Sequence, residues 1–235
     1  SDATRSLTAE YAVPFLAHAA MEPLACAVKF ETDRATVWAG VQIPDVARSA
    51  AAKVFELDAE QVTLESLYLG GAFGRRLEAD FIAQAAAIAK AAPGRLVQVS
   101  WRREDDTRND FFRPAARARL RARLDDTGQV VAFASHSSAQ SIVKQSFERV
   151  FGLPAAGPDK TTAEGAFDQP YEFANHRVTH RAVELPVPVG YWRSVGHSQQ
   201  AFFTETFVDE LARMALVDPG ESRARHLREH PRHLA

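Results

Sequence analysis

The chain has 235 residues, 46% of them hydrophobic and 25% charged, with a net charge of −2. That length suffices for one large domain or two small ones around a substantial core, and the charge excludes a general nucleic-acid binder, which needs a basic excess. The single cysteine, Cys26, excludes a disulfide framework and any Cys-based zinc or iron–sulfur site within the chain, and no run of about 18 apolar residues offers a membrane span. Cys26 reads as a small buried hydrophobe. Arginine heavily outnumbers lysine, which occurs only as Lys29, Lys53, Lys90, Lys144 and Lys160. That excess is read as the mark of a GC-rich genome rather than of anion sites. The chain opens Ser1-Asp2-Ala3 without an initiator Met, which suggests a piece of something longer.

In chain order, residues 24–30 and 35–41 predict paired strands joined by a polar turn. Pro44-Asp45 opens a helix over 46–55, with Asp45 as the expected N-cap. An apolar strand over 62–69 leads through a glycine-rich turn into an alanine-rich helix over 81–92, stopped by Pro93-Gly94. Residues 95–101 predict another strand, and the charged run 102–106 a solvated turn. Arg alternates with Ala or Leu over 115–124, as a strand with one wet face requires. Asp125-Asp126-Thr127-Gly128 turns the chain into a returning strand over 129–138. Residues 152–165 predict an irregular loop and 176–184 a strand. The segment Pro186-Val187-Pro188 is too proline-rich for a central strand. Phe203, Phe207, Leu211 and Met214 form one stripe of a helix over 201–214. Asp218-Pro219-Gly220-Glu221 reads as a capping box opening a last helix.

The pattern predicts an α+β fold of two-layer units, hairpins and sheets backed by helices, duplicated along the chain. Residues 1–110 form the expected first half and 111–235 the second.

The loop Gly70-Gly71-Ala72-Phe73-Gly74 carries the most information. A glycine-rich strand-to-helix turn lets backbone approach a ligand closely and aims free N–H groups at an anion. It is neither a Walker A loop nor a Rossmann fingerprint, and no Gly-x-Ser-x-Gly elbow occurs. No histidine pair forms an HExxH motif; His176 and His180 fall in a predicted strand, and His226, His230 and His233 read as a solvated end. From the residues alone the chain is a ligand-binding α+β module without a complete catalytic set.

Three segments together resemble the molybdenum hydroxylases, the xanthine dehydrogenase and aldehyde oxidase superfamily. Gln42 closes a predicted strand, the glycine loop follows with Phe73 31 positions later, and residues 190–199 (GYWRSVGHSQ) are similar to a second cofactor-facing loop. The phrases HAAMEPLAC, GGAFGRR, WRREDDTRNDFFRPA, VPVGYWRSVGHSQ and FVDELA extend the likeness to the molybdopterin-binding subunit of isoquinoline 1-oxidoreductase-type enzymes, over residues 15–231. The resemblance implies a first molybdopterin-binding domain, with Gln42, Gly70, Gly71, Ala72, Phe73, Gly74 and Arg193 as cofactor-binding residues. Gln42 would donate to an oxo ligand without adding charge, the N–H groups of Phe73 and Gly74 would face the metal and pterin, and Arg193 would act from the opposite side.

The same resemblance implies a molybdenum-dependent oxidoreductase that oxidises an N-heterocyclic aromatic compound or an aldehyde with water-derived oxygen. The cofactor would be molybdopterin, in its cytosine dinucleotide form, with molybdenum in the full-length protein, and this stretch alone is expected to be inactive and can be empty of it. Expected partners are the remaining molybdopterin domain of the same subunit, which carries the glutamate base, and an iron–sulfur subunit. The apolar surface that meets that domain is expected to be exposed, favouring self-association. Ala72 replaces a glycine of the family loop and is expected at φ below zero. Leu77 stands where purine hydroxylases carry an acid, which disfavours purines and makes Trp192 and Val195 candidate pocket walls. The alternative is a non-catalytic binding or assembly module that kept the fold.

Overall fold

The computed structural model describes residues 5–234. In chain order the strands are β1 (Arg5–Val13), β2 (Ala25–Glu31), β3 (Arg34–Ala39), β4 (Val62–Ser66), β5 (Leu96–Ser100), β6 (Ala116–Leu124), β7 (Val130–Gln140) and β8 (His176–Val183). The helices are α1 (Pro44–Phe55), α2 (Asp80–Lys90), α3 (Arg103–Arg108), α4 (Ile142–Phe151), α5 (Gly196–Ala215), α6 (Pro219–Arg225) and α7 (Pro231–Leu234).

Two four-stranded sheets follow one plan. Their orders are β4-β3-β2-β5 and β1-β6-β7-β8. Each is built on an antiparallel hairpin, β2–β3 or β6–β7. The chain then passes through a helix, α1 or α4, and returns as a strand parallel to the hairpin's second strand. Such a crossover is what parallel pairing demands. The far edge is antiparallel in both sheets, β5 on β2 and β1 on β6. In the first unit that edge strand follows α2. In the second no strand follows α5 among the described residues, and β1 takes the equivalent place. The duplicated α+β plan is therefore present, and β1, which lies before residue 110, completes the second sheet.

Alternation explains the first core. Cys26, Val28 and Phe30 of β2 and Ala35, Val37 and Ala39 of β3 all point inward. Alanines let the helices sit close: Ala47, Ala51 and Ala52 of α1, and Ala85, Ala86 and Ala89 of α2, are buried beside Phe55, Phe81 and Ile82. Phe30 and Phe55 stack at 4.4 Å. Burying one such ring contributes about 1.5–3 kcal/mol. Cys26 is the expected buried residue, its thiol pushed up to about 12 by burial. In the second core Ala116, Ala118, Leu120, Ala122 and Leu124 of β6 meet Phe203, Phe207, Val208 and Leu211 of α5.

Several local expectations change. Pro44 sits in the first turn of α1 and Ile43 is the N-cap, so Asp45 is a first-turn acid paired with Arg48 rather than the cap. The charged run 102–106 is mostly helix α3, held by Arg102–Asp105 and Arg103–Asp106 pairs. Helix α4, unforeseen, is capped by the Ser141 hydroxyl, which accepts from the Lys144 N–H. Helix α5 starts at Gly196, five residues before the expected point. Asp218 does cap α6 through the Gly220 and Glu221 N–H groups, but Glu221 pairs with Arg225 instead of closing the box.

Candidate cofactor site

Two adjacent arginines, both buried, hold the glycine loop from below. The Arg76 guanidinium donates to the carbonyls of Gly40 (2.9 Å), Glu22 and Pro23 (both 3.3 Å) and lies 3.1 Å from the Glu22 carboxylate. Glu22 in turn accepts the Gly70 N–H at 2.7 Å, and its own N–H donates to the Gly70 carbonyl at 3.0 Å. The Gln42 N–H donates to the Arg76 carbonyl at 3.0 Å. One side chain thus fixes the end of β3, the segment before β2 and the start of the loop.

Arg75 makes a bidentate pair with Asp80 at 2.8 and 2.7 Å, the strong fork geometry of guanidinium and carboxylate. Its Nε is 3.1 Å from Asp110 Oδ1, near enough for an ion pair but not aligned as a hydrogen bond. Asp110 also accepts from the His18 backbone N–H (2.6 Å) and Nδ1 (2.9 Å). Burial pushes the Asp110 carboxyl up, but the His18 hydrogen bonds and charge, with Arg75, outweigh it and hold the group below its usual range. The other ring nitrogen, Nε2, lies 2.9 Å from the Tyr191 carbonyl. A carbonyl only accepts, so Nε2 carries the hydrogen. His18 therefore connects the buried charge cluster to the second loop.

The two loops touch through backbone. The Arg193 N–H donates to the Phe73 carbonyl at 2.8 Å. Gly74 has φ +106°, and a Cβ there would lie 1.7 Å from the Tyr191 carbonyl oxygen. Gly71 has φ +100°, and a Cβ there would crowd the Phe73 ring at 3.2 Å and Ala20 at 3.3 Å. Ala72 keeps φ below zero, as expected. Within the two loops three residues with side chains have positive φ: Phe73 (55°), Ser194 (68°) and Val195 (49°). For a β-branched residue that is a strained conformation, the kind that collects at ligand sites.

Gln42 is exposed at the end of this assembly. Its Oε1 accepts the Gly74 N–H at 3.1 Å. Only the oxygen can accept, so the amide orientation is set and Nε2 faces away with no partner among the described residues. Gly74 consequently directs its N–H to Gln42 in this structure. The Phe73 N–H makes no hydrogen bond among the described residues. The Arg193 guanidinium is exposed and forms no ion pair among them. The outward set is thus neutral donors and one cation. No group of three His, Cys, Asp or Glu among the described residues suits a metal ion. The residues fit a metal that arrives with its own ligands as part of an anionic cofactor, cradled where glycines leave room.

A small pocket of about 120 Å³ opens beside Ile43, lined by Leu77, Phe147, Phe151 and Tyr191 together with the polar side chains of Glu78 and Ser146. Leu77 faces it, whereas Trp192 and Val195, the expected walls, do not. The Trp192 indole N–H instead reaches the Ala17 carbonyl at 3.3 Å. Exposed Met21, Leu67, Tyr68 and Leu69 flank the loop. A larger concavity, about 820 Å³, lies elsewhere, on the β1-β6-β7-β8 sheet. His180 is bonded to Ser137 and Thr162, and His176 packs edge-on against Phe133, so neither is a ligand.

The family model described as the molybdopterin cofactor-binding domain matches residues 1–227. The chain is 32% identical over 221 residues to the isoquinoline 1-oxidoreductase subunit beta of Brevundimonas diminuta, covering 92% of this chain and 28% of that protein. It is also 32% identical over 224 residues to the aldehyde oxidoreductase molybdenum-binding subunit PaoC of Escherichia coli K12, covering 95% and 29%. The chain therefore spans less than a third of the length of these relatives. The aldehyde oxidoreductase structure from Desulfovibrio desulfuricans superposes with a TM-score of 0.79 at 21% identity, over 97% of this chain and 24% of that one. Quinoline 2-oxidoreductase from Pseudomonas putida 86 gives 0.78 at 16%, over 96% and 28%. With Gln42 and the glycine loop assembled as described, the chain belongs to the molybdopterin cofactor-binding domain family.

Proposed function

We propose that this domain holds the molybdenum end of a molybdopterin, in its cytosine dinucleotide form, within a molybdenum hydroxylase that oxidises an N-heterocyclic aromatic compound or an aldehyde. The observation that carries the reading is the Gln42 clamp: Gly74 fixes the amide, leaving Nε2 as a directed, uncharged donor beside a backbone cradle. When bound, the cofactor supplies a redox metal that accepts the substrate's electrons while oxygen comes from water. Gln42 Nε2 and the Phe73 N–H bind its anionic face, and Arg193 adds positive charge. Gly70, Gly71 and Ala72 keep the cradle narrow. The glutamate base belongs to a later domain of the same subunit and electrons leave through an iron–sulfur subunit, so residues 1–235 alone are inactive. Relatives with these printed activities support the substrate class.

The pocket beside Ile43, walled mainly by Leu77, Phe147, Val150 and Phe151, favours a flat apolar ring over a purine, because its polar groups are already engaged, Glu78 with Arg149 and Tyr191 with Ser146. The test is turnover by the full-length protein of isoquinoline and benzaldehyde beside hypoxanthine, in wild type and Leu77→Glu. Oxidation of isoquinoline or benzaldehyde, lowered about tenfold or more in kcat/KM by Leu77→Glu, is expected. Preferential oxidation of hypoxanthine by wild type would refute the substrate reading, and turnover by residues 1–235 alone would refute the division of labour.

A further inference from the structure

The open face of the β1-β6-β7-β8 sheet carries a charge pattern that the cofactor reading does not use. Arg117, Arg119, Arg121 and Arg123 of β6 all project outward, with buried Ala and Leu between them. Register places Arg177 of β8 across Ala134 from Arg121, and Arg181 across Ser138 from Arg117. The outward residues of the intervening β7 are small at those two crossings, so two arginine ridges border a trough with Ala132 and Ala134 at one end and Ser138 at the other, interrupted by the exposed His136 between them. Two strand spacings make it about 10 Å wide. Its Arg121–Arg177 end, over Ala132 and Ala134, is a concavity of about 820 Å³. Glu10 is the only carboxylate that the four strands place on this face, and it pairs with Arg117 and Arg119. Arg121, Arg177 and Arg181 form no ion pair among the described residues. Arginines alternating on one strand face sit about 7 Å apart and repel one another.

We infer that this face docks a separate protein with an acidic surface, whose carboxylates enter the trough and pair with Arg121, Arg177 and Arg181. Guanidinium forks match carboxylates bidentately. Permanent complexes bury more apolar faces, whereas a charged wall stays soluble when uncovered, as a dissociable partner requires. Glu10, within the arginine rows, opposes a uniformly negative polymer but suits a protein that offers one cation there. The net charge of −2 also gives a nucleic acid no long-range attraction.

The test uses the purified full-length protein and a labelled peptide of alternating Glu and Ala, with binding followed by fluorescence anisotropy at about 20 and 200 mM salt. Duplex DNA and phosphatidylserine vesicles serve as rival probes. Wild type is expected to bind the peptide better than either rival, and less at the higher salt. Arg121→Ser with Arg177→Ser should weaken the peptide about tenfold, while Arg95→Ser with Arg213→Ser, an equal charge loss away from the face, should leave it unchanged. If the serine pair does not fold, Arg121→Lys with Arg177→Lys keeps the charge and should still weaken binding severalfold. The inference is overturned if the control pair weakens binding equally, if DNA or vesicles bind tighter, or if the peptide does not bind at low salt. None of these readouts depends on cofactor content.

Discussion

Gly74→Ala should separate the two costs that the loop geometry places on a side chain. The first is conformational: φ of +106° is left-handed, which adds about 1–2 kcal/mol for a residue with a Cβ. The second is steric, because the new methyl would sit 1.7 Å from the Tyr191 carbonyl oxygen. That oxygen cannot turn away freely, since it accepts from His18 Nε2, itself fixed by Asp110. Forcing the loops apart adds about 1–3 kcal/mol more. Gly94 provides the comparison, with φ +78° and nothing within 4 Å of the position a methyl would take, so Gly94→Ala bears the conformational cost alone. Thermal unfolding followed by circular dichroism reads the difference. At about 2–4 °C per kcal/mol for a chain of this size, Gly74→Ala should melt several degrees below Gly94→Ala. Hydrogen exchange at the Arg193 amide, which donates to Phe73, should accelerate only in Gly74→Ala. Indistinguishable melting and exchange in the two variants would refute the view that Gly74 is required by the approach of the second loop.

Asp110→Asn should destabilise by about 3–5 kcal/mol at neutral pH, because it leaves Arg75 buried with one partner fewer and weakens the His18 clamp. The folded carboxyl lies below its ordinary range, so its contribution is present above about pH 4 and is lost as pH falls through the lower folded value. Urea unfolding should therefore show the gap between wild type and variant closing below about pH 4; a constant gap would contradict the assignment. His180 is lowered by burial, with Asp159 opposing, so it favours the neutral form and stability should fall as pH drops below about 6.5. Replacing it in His180→Gln should flatten part of that slope, and an unchanged slope would place the titration elsewhere.

The strands and helices that pack locally were legible because their periodicity is local. Residues 24–41 alternate cleanly, and the stripe of Phe203, Phe207 and Leu211 fixes α5. The alternation of β1 is equally regular, yet its partner β6 lies over a hundred positions away in sequence, and nothing local announces that pairing. Helix α3 consists almost wholly of charged residues and is held by pairs that form only once the helix exists. At the site, Gln42 and the glycine loop stood out through motif and spacing. The arginines beneath them did not. Reading the arginine excess as genome composition passed over Arg75 and Arg76, whose roles depend on Asp80, Asp110 and the Gly40 carbonyl meeting in three dimensions. His18 was hidden likewise, 92 positions from Asp110.

Gln42 and the glycine loop are proposed to grip a molybdenum cofactor, and metal content reports that grip. Elemental analysis of the full-length protein from its native host should give about one molybdenum per chain in wild type, and clearly less in a folded Gln42→Ala variant, which loses both the Nε2 donor and the acceptor for the Gly74 N–H. Molybdenum absent from folded wild type that carries pterin, or undiminished and fully active in Gln42→Ala, would contradict it.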